Sequence, residues 1–139
     1  MFQSIPPQIE LSLAVVGLQY DNQDGSSRTL EARLCAPGDT VRLVREPKNR
    51  KDPRAVSVFS GRGVRLGYVP AERCGWVGRK IDAGEHVEAI FQELGERIAV
   101  VRARFGGGAP RLPSFLDREP IGAAIDHFYA DPPPSEWGA

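Results

Sequence analysis

Ile9, Leu11, Leu13 and Val15 alternate with their neighbours, and from Ala14 and Val16 both sides become apolar. This period of two predicts a strand whose second half is buried on both faces. Gly17 then marks a bend or bulge, and residues 21–27 (DNQDGSS) form a turn. Leu30, Ala32 and Leu34 resume the period of two and predict a second strand, broken by Ala36-Pro37-Gly38-Asp39. Val41 and Leu43 open a third strand, and residues 55–59 and 64–68 read as two more, joined as a hairpin around Ser60-Gly61-Arg62-Gly63. Pro70 suits a first helical residue, and Cys74, Val77 and Ile81 recur at helical spacing until Gly84, so one short amphipathic helix is predicted. Val87, Ala89 and Phe91, then residues 98–105, give two final strands around a turn near Gly95. Five strand segments, a helix and two strands describe a mainly β protein with minor α. The expected architecture is a small, partly open, antiparallel β-barrel of OB-like type with one inserted helix.

After Phe105 the sequence GGGAPRLPS reads as a linker, and Ile121, Ala124, Ile125 and Phe128 stand at helical spacing before the breaker DPPP. The expected division is therefore a barrel over residues 1–105 and a linker with an acidic tail and short helix over residues 106–139. With 139 residues, the chain holds one domain with a real core. At 41% hydrophobic and 26% charged residues it has no apolar run long enough to span a bilayer. The start MFQSIPPQIE lacks the basic and apolar regions of a secretory signal, so a cytoplasmic location without a membrane partner is expected.

Candidate chemistry narrows by elimination. Cys35 and Cys74 stand far apart with no C-x-x-C partner, which indicates two buried thiols rather than a disulfide framework or zinc knuckle. His86 and His127 have no partner at ligand spacing, and no G-x-S-x-G occurs. Gly106 to Gly108 lack the Lys and Ser or Thr of a phosphate-binding loop. The reading is a non-enzymatic protein with no cofactor or metal; a metal-dependent hydrolase is the weaker alternative.

Charge changes the picture. The chain is neutral overall, yet residues 28–80 hold 13 Lys and Arg against 5 acids, while the flanking segments are acidic. Within residues 41–56, VRLVREPKNRKDPRAV, six cations (Arg42, Arg45, Lys48, Arg50, Lys51 and Arg54) accompany only Glu46 and Asp52. A connection between strands that is rich in cations can meet phosphates without disturbing the core. If four cations engage a single strand, affinity should fall with a log-log salt slope of about −3. Asp52 suits an Asx-turn near Pro53, Asn49 suits holding the turn in shape or donating to a nucleotide, and Glu46 is expected to pair with Arg45 or Arg42. Tyr68 and Trp76 either line the groove or pack in the core.

The pattern R-E-P-x-N-x-x-D-P-x-A-V at residues 45–56, with V-V-G-L-Q-Y at 15–20 and L-G-Y-V-P at 66–70, resembles the HIRAN family over roughly the first two thirds of the chain. That resemblance implies a domain fused to helicase-like ATPases of DNA repair, or standing alone in bacterial proteins. It implies binding of single-stranded DNA at a free 3′ end, with a helicase or nuclease as a further protein partner. Carried onto these residues, Asp52 accepts a hydrogen bond from the terminal 3′ hydroxyl and Tyr20 stacks on the terminal base. Arg45, Lys48, Arg50, Lys51 and Arg54 engage phosphates, and the strand-to-helix junction at residues 67–70 offers free N–H groups to an anion. The family usually has a second aromatic where Lys51 stands and commonly a basic residue where Gln19 stands; the departures imply either that Lys51 replaces the second ring with a phosphate or cation–π contact, or that end recognition is lost in this member. The alternative of another class is a protein-interaction module using the barrel edge or the tail helix.

Overall fold

The computed structural model describes residues 8–113. In chain order it contains β1 (Ile9–Val15), α1 (Arg28–Leu34), β2 (Thr40–Arg45), β3 (Val56–Ser60), β4 (Arg65–Tyr68), α2 (Ala71–Asp82), β5 (Val87–Leu94) and β6 (Ala99–Phe105). The strands form one antiparallel sheet in the order β1-β6-β5-β2-β3-β4. It curls into a half-barrel, the mainly β architecture expected from the alternation of apolar residues. The expected tail helix lies outside the described residues. No helix among the described residues is long and apolar enough to cross a membrane.

The two ends of the sheet meet at one point. Val16, just beyond β1, exchanges both backbone hydrogen bonds with Tyr68 at the end of β4, at 2.8 and 2.9 Å. Gly67 makes this closure possible, because a Cβ on it would lie 2.3 Å from the Val16 carbonyl oxygen. The core sits inside the curl, where Leu13, Val15, Val56, Val58, Leu66 and Phe91 are buried. From α2, Cys74 and Val77 complete this core, and the half-buried Trp76 packs edge-on against Phe105 at 5.0 Å. Cys35, expected to be buried, is only half-buried.

One element differs in kind from the sequence expectation. Residues 28–34 form a helix, not a strand. The alternating Leu30 and Leu34 are 58% and 61% exposed, whereas the helix buries Arg28, Glu31 and Ala32. Its inward stripe thus has helical spacing but two of its three members are charged, so a hydrophobic count follows the wrong face. Ser27 caps it, its hydroxyl oxygen accepting from the Leu30 N–H at 3.1 Å. Arg28 is fully buried; its Nε donates to Asn22 Oδ1 at 2.8 Å, its Nη1 donates to the Gly17 carbonyl at 3.0 Å, and its guanidinium lies over the Tyr68 ring at 5.5 Å. Burial pushes its pKa down, opposed chiefly by the nearby Tyr68 and Glu46.

Candidate nucleic-acid interface

Residues 46–55 connect β2 to β3 as a double turn held by its own side chains. Backbone bonds run from Glu46 N to Ala55 O, Asn49 N to Glu46 O and Ala55 N to Asp52 O, at 2.9 to 3.0 Å. Asn49 Oδ1 accepts from the N–H groups of Lys51 and Asp52 at 2.9 and 3.2 Å, which is the turn-holding role. Asp52 makes the expected Asx-turn, accepting from the Arg54 N–H at 2.8 Å. Its two carboxylate oxygens also accept from Arg54 Nε and Nη2 at 3.1 and 3.2 Å. Those Arg54 bonds, against the opposing effect of burial, hold the Asp52 carboxyl below its ordinary pKa. Oδ2 accepts one of these bonds and keeps capacity for another.

Glu46 fastens the turn to the barrel, but through partners other than those expected. It pairs with Arg65, not with Arg45 or Arg42: Arg65 Nη2 donates to Oε2 at 2.8 Å, while the Tyr68 hydroxyl and Asn49 Nδ2 donate to Oε1 at 2.9 and 3.1 Å. The reason is register, since Arg45 points to the opposite side of the sheet, toward α2. There Arg45 Nε donates to both Asp82 oxygens at 3.1 and 3.2 Å, and its Nη1 donates to the Pro53 carbonyl at 2.7 Å. Gly78 leaves room for it, because a Cβ there would lie 3.1 Å from Arg45 Cδ. Burial alone would raise the Glu46 pKa, but hydrogen bonds from Asn49 and Tyr68 and the charge of Arg65 outweigh it, and the net shift is downward.

Tyr68 is not available as a groove-lining ring. It is 1% exposed, enclosed between the guanidinium groups of Arg28 and Arg65, with its hydroxyl on Glu46. Burial first, and then the Glu46 carboxylate, push its pKa up to about 12. Tyr20 keeps part of its surface exposed in the turn after β1, its N–H donating to the Gly17 carbonyl at 3.2 Å.

The remaining cations of the turn open onto a groove of about 660 Å³. Its walls are Pro47, Lys48, Asn49, Arg50 and Lys51 on one side and Gln23, Val44, Phe59 and Arg65 on the other, with Glu46 at its base. Arg45, Asp52 and Arg54 do not line it, nor does Tyr20. Sequence reasoning missed Phe59, Arg65 and Gln23 in this place. Phe59 was findable: in Val56-Ser57-Val58-Phe59-Ser60, two core valines alternate with it, so the ring must stand on the opposite face. Among the described residues no three His, Cys, Asp or Glu side chains gather as a metal site.

The HIRAN domain model matches residues 9–103. Two solved structures are similar in fold. The HIRAN domain of human HLTF shares 22% identity at a TM-score of 0.55, covering 69% of this chain and 74% of that one. A protein from Lactobacillus plantarum shares 22% identity at a TM-score of 0.60, covering 73% and 98%. No curated protein matches. With its motif turn anchored to a half-barrel of this shape, and the family match spanning most of its length, the chain belongs to the HIRAN domain family, a DNA-binding module.

Proposed function

We propose that this chain binds single-stranded DNA near a free 3′ end, without chemistry of its own, in DNA repair or replication-fork processing. The observation that carries the reading is the turn itself: a rigid double turn presenting Lys48, Arg50 and Lys51 outward, with a carboxylate, Asp52, held at its far end. In this reading the three cations meet phosphates, Tyr20 stacks on a base, and Asp52 Oδ2 accepts from the terminal hydroxyl. A terminal hydroxyl is a donor that an internal phosphodiester lacks, so a carboxylate acceptor discriminates ends where cations cannot. Arg45 and Arg54, tied to Asp82 and Asp52, hold the turn and contribute charge at longer range. A helicase or nuclease partner would use the end so bound.

The test is a titration of labelled single strands with free, phosphorylated and blocked 3′ ends at several salt concentrations. A free end should bind tightest, with the preference abolished in Asp52→Asn. Equal binding of all three ends would leave a purely electrostatic DNA contact. Leu30 and Leu34, one helical turn apart and exposed, are the observation behind a protein-interaction module. Absence of DNA binding at low salt would favour that second reading.

A further inference from the structure

The outer face of β2, β3 and β4 carries a half-buried ring beside unneutralised charge. Phe59 pairs across the sheet with Arg42 on β2 and Arg65 on β4. Their guanidinium carbons lie 5.8 and 5.3 Å from its ring centroid. The neighbouring outward positions are closed, Ser57 being buried with its hydroxyl on the Val44 carbonyl and Tyr68 being buried under Arg28. Phe59 therefore faces the groove, and the exposed Lys48 and Arg50 stand opposite it with no ion pair among the described residues. The one carboxylate in the groove, Glu46, is already matched by Arg65. A ligand that fills this groove must bring negative charge and a flat π surface together. A nucleotide brings both; an acidic peptide brings only the first.

We infer that this groove is a second nucleotide subsite, in which an inner base of the bound strand stacks on the Phe59 ring while its phosphates lie along Lys48, Arg50 and Lys51. The inference rests on the single-strand reading above and adds a site to it. Lys51 lines the groove and immediately precedes Asp52 in the chain, and the nucleotides inward of an end held at Asp52 would lie in this groove. Arg42 packs against the Phe59 ring from the adjoining pocket rather than from within the groove, and in this reading it holds the ring in place beneath the base. Stacking of this kind is indifferent to base identity, so the subsite should add affinity without sequence preference.

The experiment walks a single abasic position inward from the 3′ end of a short oligonucleotide, at fixed low salt, against the full chain and its Phe59→Leu variant. In the unaltered protein one inner abasic position should weaken binding about tenfold, as expected for one lost stack. Phe59→Leu, which keeps apolar volume but no ring, should lose a similar factor on the intact strand and be indifferent to the same abasic position. Thermal melting checks that the variant folds, and Phe59→Trp, which keeps a ring, should retain the abasic penalty. Tight binding of the intact strand with no inner penalty, or an unchanged penalty in Phe59→Leu, overturns the subsite while leaving end binding intact. Failure of every strand to bind overturns the parent reading, and the subsite with it.

Discussion

Arg45 and Arg54, on the side of the 46–55 turn that faces α2, are both spent on protein groups: Arg45 on Asp82 and the Pro53 carbonyl, Arg54 on Asp52. Lys48 and Arg50, on the groove side, carry the same charge and meet no acid among the described residues. The two sets are close in sequence and equal in formal charge, but only the second is without an acid partner among the described residues. Phosphate recognition needs cations whose charge is not already compensated, and it needs them fixed in place. In this turn the tied residues and the Glu46 network supply the fixing, and the open ones supply the charge.

That contrast predicts that damage to the anchored side should appear in stability and damage to the open side in binding. The largest effect should come from Gly67→Ala, which forces a Cβ against the Val16 carbonyl and breaks the contact that closes the barrel and places Tyr68. A loss of about 3 kcal/mol or more is expected by denaturant unfolding. Arg28→Met comes next, stranding Asn22 Oδ1 and the Gly17 carbonyl and removing the cation above Tyr68. Its expected cost is about 2–4 kcal/mol, and the turn should exchange its amide hydrogens faster.

The Tyr68 hydroxyl gives the anchored side a pH signature. Its folded pKa, pushed up to about 12, lies above the ordinary value near 10. Its contribution is complete below pH 10. Between pH 10 and about 12 the unfolded chain sheds a proton that the folded one keeps, so stability falls as pH rises. Melting curves of Tyr68→Phe should lack this alkaline decline while starting from a lower stability at neutral pH.

On the open side, the double variant Lys48→Ala, Arg50→Ala should melt like the unaltered protein yet bind single strands more weakly. Its log-log salt slope should be shallower by about 1.4, two phosphate contacts' worth. A change in melting with no change in slope would reverse the assignment of the two sides. The smallest effect should follow from Asp82→Asn, which loosens an exposed pair with Arg45 worth less than about 1 kcal/mol. DNA affinity should barely move, because the freed Arg45 still faces α2 rather than the groove.

Much of this molecule was legible before any coordinates. Strands with one apolar face, the hairpin over residues 56–68 and the helix after Pro70 all announce themselves by period and punctuation, and the turn motif identified the family. Three features did not. Residues 28–34 show an apolar alternation that points to solvent, because the residues that helix buries are Arg28 and Glu31. Tyr68 could be read as lining the groove or packing in the core, and it is a buried hydroxyl donor. Glu46 looked like a local partner for Arg45 or Arg42 and instead reaches Arg65 across the sheet.

Sequence by itself determined the strand periodicity, the self-holding turn built from Asn49 and Asp52, and the concentration of cations on it, since each depends on residues within a few positions of one another. Tertiary structure alone decided which of those cations are neutralised and which ring stands beside them. Those outcomes depend on partners far along the chain: Asp82 for Arg45, Arg65 and Tyr68 for Glu46, and Arg42 and Arg65 for Phe59. Whether a charge is free is a property of what lies within a few ångströms of it in space, and only the closure of the barrel brings those groups together.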